Sequence, residues 1–355
     1  MRAAVFSFSA RGARLAKRIV AALTDAGYAA MPMTVAKYAA QTGLVPMLPD
    51  YKAACAKAFG ECEALIFVGA SGIAVRAIAP HIKSKLTDPA VVSVDERANF
   101  VIPLLAGHIG GANELARYLA AALGAVVCVT TATDVNGLFA VDEWAARNNM
   151  VICSLLPAKD FAAELVANKK VGLYYDEAFC VTGALPKNVE CDCTLSVGVA
   201  VTLDSSLTPF ATTVRLLPKI VHLGIGCRRN TPLEKIEALV LPELQKLHLD
   251  LRSVAALASV DLKKDEHGLL AFAKKYQLAA NFYTADELNS VAGDFTPSAF
   301  VKSVVGISNV CERSAVLDSN NGRLLLRKTS LNGVTLAVAA ENLVLDFSKT
   351  GLKTK

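Results

Sequence analysis

The 355-residue chain contains no run of the roughly 20 uninterrupted apolar residues that a membrane helix needs. Its apolar stretches are broken by Arg76, Pro103 or glycine-rich turns, so no membrane-spanning segment is expected. The opening residues, MRAAVFSFSARGARLAKR, become basic after a short apolar run, the reverse of a secretory signal. Nine cysteines are scattered, and Cys191 and Cys193 form C-x-C where zinc and redox sites use C-x-x-C. Reduced thiols in a cytoplasmic protein are the expectation. The five histidines, His81, His108, His222, His248 and His267, show no H-E-x-x-H spacing, so no protein-held metal is expected. A net charge of +5 is not gathered into a tail or a helix stripe, which argues against nucleic acid and is compatible with an acidic small molecule.

What the chain does have is length and apolar content for two or three cores, 53% of its residues being hydrophobic. The most informative stretch is residues 65–131. Two apolar runs, Leu65 to Val68 and Phe100 to Leu105, each end in a glycine-rich turn that leads into helical periodicity. The first turn is Gly69, Ala70, Ser71 and Gly72. The second is Gly107, His108, Gly110 and Gly111, followed by Asn113 and Glu114. Small residues at a strand-to-helix junction let a ligand reach main-chain N–H groups, and the positive helix end favours anions there. The helix after the second turn closes at Gly124, and Ala125 to Thr131 reads as the next strand, which makes a βαβ unit and implies a parallel sheet.

The fold class that follows is α/β, in three parts: an N-terminal parallel-sheet α/β domain at 1–132, a small α+β middle domain at 133–217, and a separate C-terminal α/β domain at 218–355. The first begins with strand Arg2 to Phe8, helix Ala10 to Ala26 and strand Tyr28 to Met33, and Asp50 caps a further helix. Arg11 and Arg14 stand by the first strand-to-helix turn, where a solvated helix start and a ligand contact are equally good readings. The middle part has a weaker pattern. In the C-terminal part, Ile220 to Leu223 reads as a strand and Gly224 to Asn230 as a turn. Thr231, Pro232 and Glu234 then read as a capping box, with others at Thr284 with Glu287 and Asn309 with Glu312.

Several motifs stop short of a full match. Gly69-Ala70-Ser71-Gly72-Ile73 would need glycine at Ile73 to be a nucleophile elbow, so Ser71 reads better as a helix cap or an anion contact. Gly224-x-Gly226 lacks the third glycine of a dinucleotide fingerprint, because Arg229 occupies its place. Arg228 and Arg229 suggest carboxylate or phosphate binding, against a tight turn with solvated arginines. His108 can exchange protons near neutral pH with Glu114 as orienter or base, against a hydrogen-bonded loop residue.

The GASGIAVR turn at 69–76, the VDERANFVIPLLAGHIGGAN run at 94–113 and the LGIGCRRNT segment at 223–231 together resemble the cobalt-precorrin 5A hydrolase family of anaerobic cobalamin biosynthesis. The likeness continues through SVDLKKDEHGLLAFA at 259–273 and SNVCERSAVL at 308–317, with Cys311 and Arg313 departing from the small residues expected there. The resemblance implies a cobalt-bearing tetrapyrrole substrate with a carboxylate rim, a lactone opened with water, and a two-carbon fragment released as acetaldehyde. It implies no added cofactor, since cobalt arrives with the substrate, and contact with neighbouring pathway enzymes. It places His108 or Glu114 as the base and the N–H groups of Gly110 and Gly111 as oxyanion donors. Gly69, Ser71, Gly72, Arg76, Asn113, Arg228 and Arg229 would hold the substrate, in a cleft between domains. The alternatives are a non-catalytic tetrapyrrole carrier and a nucleotide-binding α/β enzyme.

Overall fold

The computed structural model describes residues 1–85, 87–108, 110–296 and 309–348. Ile109 of the second glycine-rich turn and Ser308 of the SNVCERSAVL segment lie outside them. The chain divides into two compact units, Met1–Arg147 and Asn148–Ser348.

In the first unit the elements run β1 (Arg2–Ser7), α1 (Ala10–Asp25), β2 (Ala29–Thr34), α2 (Ala36–Thr42), β3 (Val45–Pro46), α3 (Tyr51–Glu61), β4 (Ala64–Val68), α4 (Ser71–Ile78) and β5 (Ala90–Val94). They continue with β6 (Phe100–Leu105), α5 (Ala112–Leu123), β7 (Val126–Val127), α6 (Ala132–Val135) and α7 (Val141–Arg147). The seven strands form one sheet in the order β3-β2-β1-β4-β5-β6-β7. All neighbours are parallel except β5 and β6.

Both faces of this sheet are covered, which explains why Ala3 to Phe6 of β1 and the whole of β4 are apolar. Alternate strand residues point to opposite faces. Val5, Ile66 and Val92 therefore pack with Leu15, Ile19 and Leu23 of α1 and Leu115 and Leu119 of α5. Phe6 and Phe67 face the other way, with Cys55 of α3 and Ala74, Ala77 and Ile78 of α4. Their rings stack at 4.7 Å and both are fully buried, each contributing roughly 2–3 kcal/mol by burial alone.

The register separates the two glycine-rich turns. Leu65 pairs with Val91 and Val91 with Leu105, whereas Val68 pairs with Val94 and Val94 with Val101. Because β6 runs against β5, the turn after Leu105 leaves the edge of the sheet where β4 begins, and the turn after Val68 leaves the edge where β4 ends. The strand length between them is about 10–15 Å. The second edge also holds the topological switch point, since β1 leads outward through α1 on one face and β4 through α4 on the other.

The second unit runs β8 (Met150–Ile152), α8 (Leu155–Val166), β9 (Val171–Tyr175), β10 (Cys180–Thr182), β11 (Val189–Glu190), β12 (Val197–Val201), β13 (Thr212–Pro218), β14 (Val221–Cys227), α9 (Leu233–Lys246) and β15 (Val254–Val260). It continues with α10 (His267–Tyr276), β16 (Ala279–Tyr283), α11 (Ala285–Ser290), α12 (Val310–Asp318), β17 (Arg323–Leu331), β18 (Val334–Ala340) and β19 (Val344–Asp346). Its two five-stranded sheets have the orders β11-β9-β12-β13-β8 and β16-β15-β14-β18-β17, and β10 pairs with β19.

Three local expectations are corrected here. Gly224 and Gly226 lie inside β14 and not in a turn, because the ladder with β18 continues through Cys227; glycine is needed at 224 because α12 crosses so closely that a Cβ there would stand 1.8 Å from the Cys311 carbonyl oxygen. Thr231 does not cap α9: its hydroxyl donates to the Arg228 carbonyl at 2.7 Å, and the helix starts after Pro232 without a side-chain cap. Glu312 is no mere capping partner. Asn309 does accept from its N–H, but its fully buried carboxylate accepts from Thr296 and from the Lys328 N–H. The box at Thr284 and Glu287 forms in full. The two departures noted in α12 have packing roles as well: Cys311 is buried against Gly224, and Arg313 donates to the Leu288 and Val291 carbonyls with its guanidinium 4.6 Å from the Phe295 ring. No helix among the described residues is long and apolar enough to cross a membrane.

Candidate active site

The turn between β6 and α5 is closed by its own backbone. The N–H groups of Ala112 and Asn113 donate to the carbonyls of Ala106 and Gly107, and that of Gly111 donates to His108 at 2.9 Å. The Gly111 N–H, one of the expected oxyanion donors, is thereby engaged within the turn. Glycine is required at 110 because a Cβ there would meet the Ala106 Cβ at 2.4 Å. Gly111 adopts a left-handed conformation at φ 83°, which a side chain would disfavour.

This turn presents the His108 ring to two carboxylates. Nε2 lies 2.9 Å from Asp134 and Nδ1 3.2 Å from Asp142. Hydrogen bonds to Asp134 and then Asp142 outweigh burial and raise the His108 pKa to about 10, so the ring is an imidazolium at neutral pH. Burial would raise the Asp134 carboxyl, but the hydrogen bonds from His108, Thr131 and Arg117 hold it well below the usual range. Asn113 also donates to Asp134, at 3.0 Å, and its side chain is buried in that contact. Lys85 lies 3.9 Å from Asp142.

Glu114, on the first turn of α5, faces α7. Arg147 forms ion pairs with both Glu114 and Glu143. Burial comes first in raising the Glu114 pKa and Glu143 adds to it, while Arg147 opposes them; the net shift is upward. A concavity of about 1040 Å³, open mouth included, is lined by His108, Gly110, Gly111, Glu114, Glu143 and Arg147, with Tyr28, Glu63 and Asp88 on its wall. A poised carboxylate beside a fixed cation is an arrangement suited to general acid–base chemistry.

The family profile described as "Cobalamin synthesis G N-terminal" matches residues 53–134, and "Cobalamin synthesis G C-terminus" matches 221–339. A cobalt-precorrin-5A hydrolase of Salmonella typhimurium is 36% identical over 350 residues, covering 94% of this chain and 96% of that protein. The chain belongs to the cobalt-precorrin-5A hydrolase family, which places it in cobalamin biosynthesis. The family member of Priestia megaterium is 33% identical, covering 79% of each chain. A probable one from Methanocaldococcus jannaschii is 30% identical over 78% of this chain and 85% of its own.

Within this family member the expected site residues fall into three places. His108, Gly110, Gly111, Asn113 and Glu114 stay together in or beside the concavity. Gly69, Ser71, Gly72 and Arg76 sit at the opposite end of the same sheet. There Ala70 is the residue before α4, and the Ser71 hydroxyl lies 3.3 Å from that of Ser93. Arg76 is exposed and has no carboxylate partner among the described residues. Arg228 and Arg229 belong to the second unit, just after β14, exposed and likewise without a carboxylate partner among the described residues.

Asp134, Asp142, Glu143 and Arg147 do not stand out in the sequence. They come from 133–147, where hydrophobic periodicity is weak, and the only available signal is the Glu143 and Arg147 pair at helical i,i+4 spacing. Ligand atoms of His108, Asp134 and Glu143 lie within 4.8 Å of one another. A cation there would have to compete with the His108 proton and with Arg117 and Arg147, which already neutralise these carboxylates.

A second polar cluster is buried in the second unit. His222 Nδ1 lies 2.6 Å from Asp318 and Nε2 2.8 Å from Glu341, and Asp318 also accepts from Asn281 and Tyr283 at 2.7 Å. Burial would lower the His222 pKa, but the Asp318 and Glu341 hydrogen bonds raise it.

Proposed function

We propose that this protein hydrolyses cobalt-precorrin 5A, opening its lactone and releasing acetaldehyde to leave cobalt-precorrin 5B. The reading rests on family membership for the substrate and, for the chemistry, on one observation: Glu114, with its raised pKa, shares a concavity with a His108 that is protonated at neutral pH.

Glu114 takes a proton from water as the water oxygen attacks the lactone carbonyl. The imidazolium of His108 provides positive charge near the oxyanion that forms, although both its N–H groups remain on carboxylates. Collapse breaks the acyl C–O bond and frees an alkoxide. That alkoxide becomes the carbonyl of acetaldehyde as the adjoining C–C bond breaks and its electron pair enters the conjugated macrocycle. The proton held by Glu114 then goes to the macrocycle, and Glu114 is restored. On this reading Glu114 is the base, and His108, protonated at the working pH, is not. Exposed Arg228 and Arg229 are suited to the peripheral carboxylates. Cobalt belongs to the substrate, and the reaction needs no further cofactor.

The test is anaerobic incubation of the purified protein with cobalt-precorrin 5A, trapping acetaldehyde and following the pigment mass. Acetaldehyde should appear in step with loss of the two-carbon unit, and Glu114→Gln should abolish both. Tight pigment binding without release would make the protein a carrier instead. No binding and no release would remove the substrate assignment.

A further inference from the structure

Among the groups lining the Glu114 concavity, the acids outnumber the bases. Glu63, Asp88, Glu114 and Glu143 lie on its wall, with His108 and Arg147 as the cationic side chains. A substrate with a carboxylate rim must find positive charge there. His108 cannot readily supply it as a hydrogen-bond donor, because Asp134 and Asp142 hold both ring nitrogens. Asp88 is turned away to the backbone N–H groups of Lys83 and Ser84, each at 3.1 Å. Arg147 is different. Its guanidinium carries five N–H donors against the two of the imidazolium, its side chain retains 20% exposure, and it can exchange one carboxylate for another with little change in geometry.

We infer that Arg147 receives a carboxylate of the substrate, and that in doing so it leaves Glu114, which becomes free to deprotonate water. The inference rests on the reading of this concavity as the active site and adds to it a substrate-binding residue that also controls the base. Arg147 is the main restraint on Glu114: burial and Glu143 push its proton affinity up, the Arg147 guanidinium opposes them, and Arg117 on α5 adds a smaller opposing effect that the exchange leaves in place. An arriving carboxylate draws Arg147 off and adds negative charge of its own, so both effects increase the basicity of Glu114 in the complex. The ion pair with Glu143, four residues earlier on α7, keeps Arg147 close during the exchange. Glu114 would thus act as a strong base only with a carboxylate-bearing substrate in place. Neutral molecules entering the concavity would leave the Arg147 and Glu114 pair intact.

Arg147→Lys and Arg147→Met test this, with turnover and KM measured across pH in the full-length protein. For Arg147→Met, KM should rise about tenfold or more, the effect of removing a charge-assisted hydrogen bond. The acidic limb of kcat/KM should move to higher pH, because Glu114 in the free enzyme loses its main restraining cation and keeps only the weaker effect of Arg117. Arg147→Lys keeps the charge without the two-pronged geometry, so it should recover the pH limb and only part of KM. If both variants kept wild-type KM and an unmoved acidic limb, and changed only thermal stability, Arg147 would be a packing residue and the inference would be wrong. If instead Glu114→Gln retained turnover, the concavity would not be the active site, whatever the Arg147 variants did.

Discussion

The Nε2 atom of His108 stands 2.9 Å from the carboxylate of Asp134, with Nδ1 held on its other side by Asp142. A histidine in a glycine-rich loop is thereby turned from a group that titrates near neutral pH into a fixed cation.

In the intact protein the His108 imidazole should stay protonated at pH 8 and titrate near pH 10, and Asp134→Asn should bring its titration down toward 6.5. Since the folded pKa is raised, the stability it contributes is complete below about pH 6.5 and is lost as pH rises toward 10. Asp134, lowered in the fold, contributes above about pH 4 and loses that contribution as the solution is acidified. Nuclear magnetic resonance of ring-labelled histidine reads the titration in wild type and variant, and a wild-type value near 6.5 would contradict the geometry.

Two glycines separate folding from binding. Gly110→Ala should cost about 2 kcal/mol or more, because its Cβ collides with Ala106. Gly72→Ala, with nothing within 4 Å of its Cβ and a place in the first turn of α4, should be neutral or gain up to about 1 kcal/mol. Turnover should survive at Gly72, which lies across the sheet from Glu114. A folded Gly72→Ala protein with a tenfold loss of turnover would mean that the switch-point edge binds substrate too.

Gly224→Ala should destabilise the second unit by about 3 kcal/mol, since the atom it meets is main-chain oxygen that cannot swing aside. Urea denaturation is the measurement. A change under about 0.5 kcal/mol, the range of ordinary surface substitutions, would refute the tight crossing of α12 over β14.

His222→Ala should cost roughly 3 kcal/mol by leaving the buried Asp318 carboxylate without its cationic partner. In the wild type the His222 contribution is present below about pH 6.5 and disappears as pH rises through its raised folded value. Thermal melts across pH should show that dependence vanish in the variant.

Arg228→Ala with Arg229→Ala should leave stability within about 0.5 kcal/mol, as both are exposed and unpaired among the described residues. Substrate affinity should fall about tenfold for each substrate carboxylate deprived of its arginine. Unchanged affinity would remove both from the binding surface.

By itself the sequence determined the local elements with strong periodicity or capping chemistry: β1 and α1, the two strand-to-helix units around β4 and β6, and the start of α11 at Thr284. It also carried the family, because a set of short motifs in fixed order does not depend on knowing where they meet. Only the tertiary structure decided which motifs share a site. The antiparallel pairing of β6 with β5 reverses the direction of one glycine-rich turn and sends it to the opposite edge from the other, and nothing in either turn encodes that reversal. Gly224 reads as a turn glycine until Cys311, 87 residues later, is seen pressed against it. The partners of His108 and Glu114 were hidden for the same reason. Asp134, Asp142 and Arg147 act through side-chain charge across a fold, and charge of that kind leaves no periodic trace in the chain.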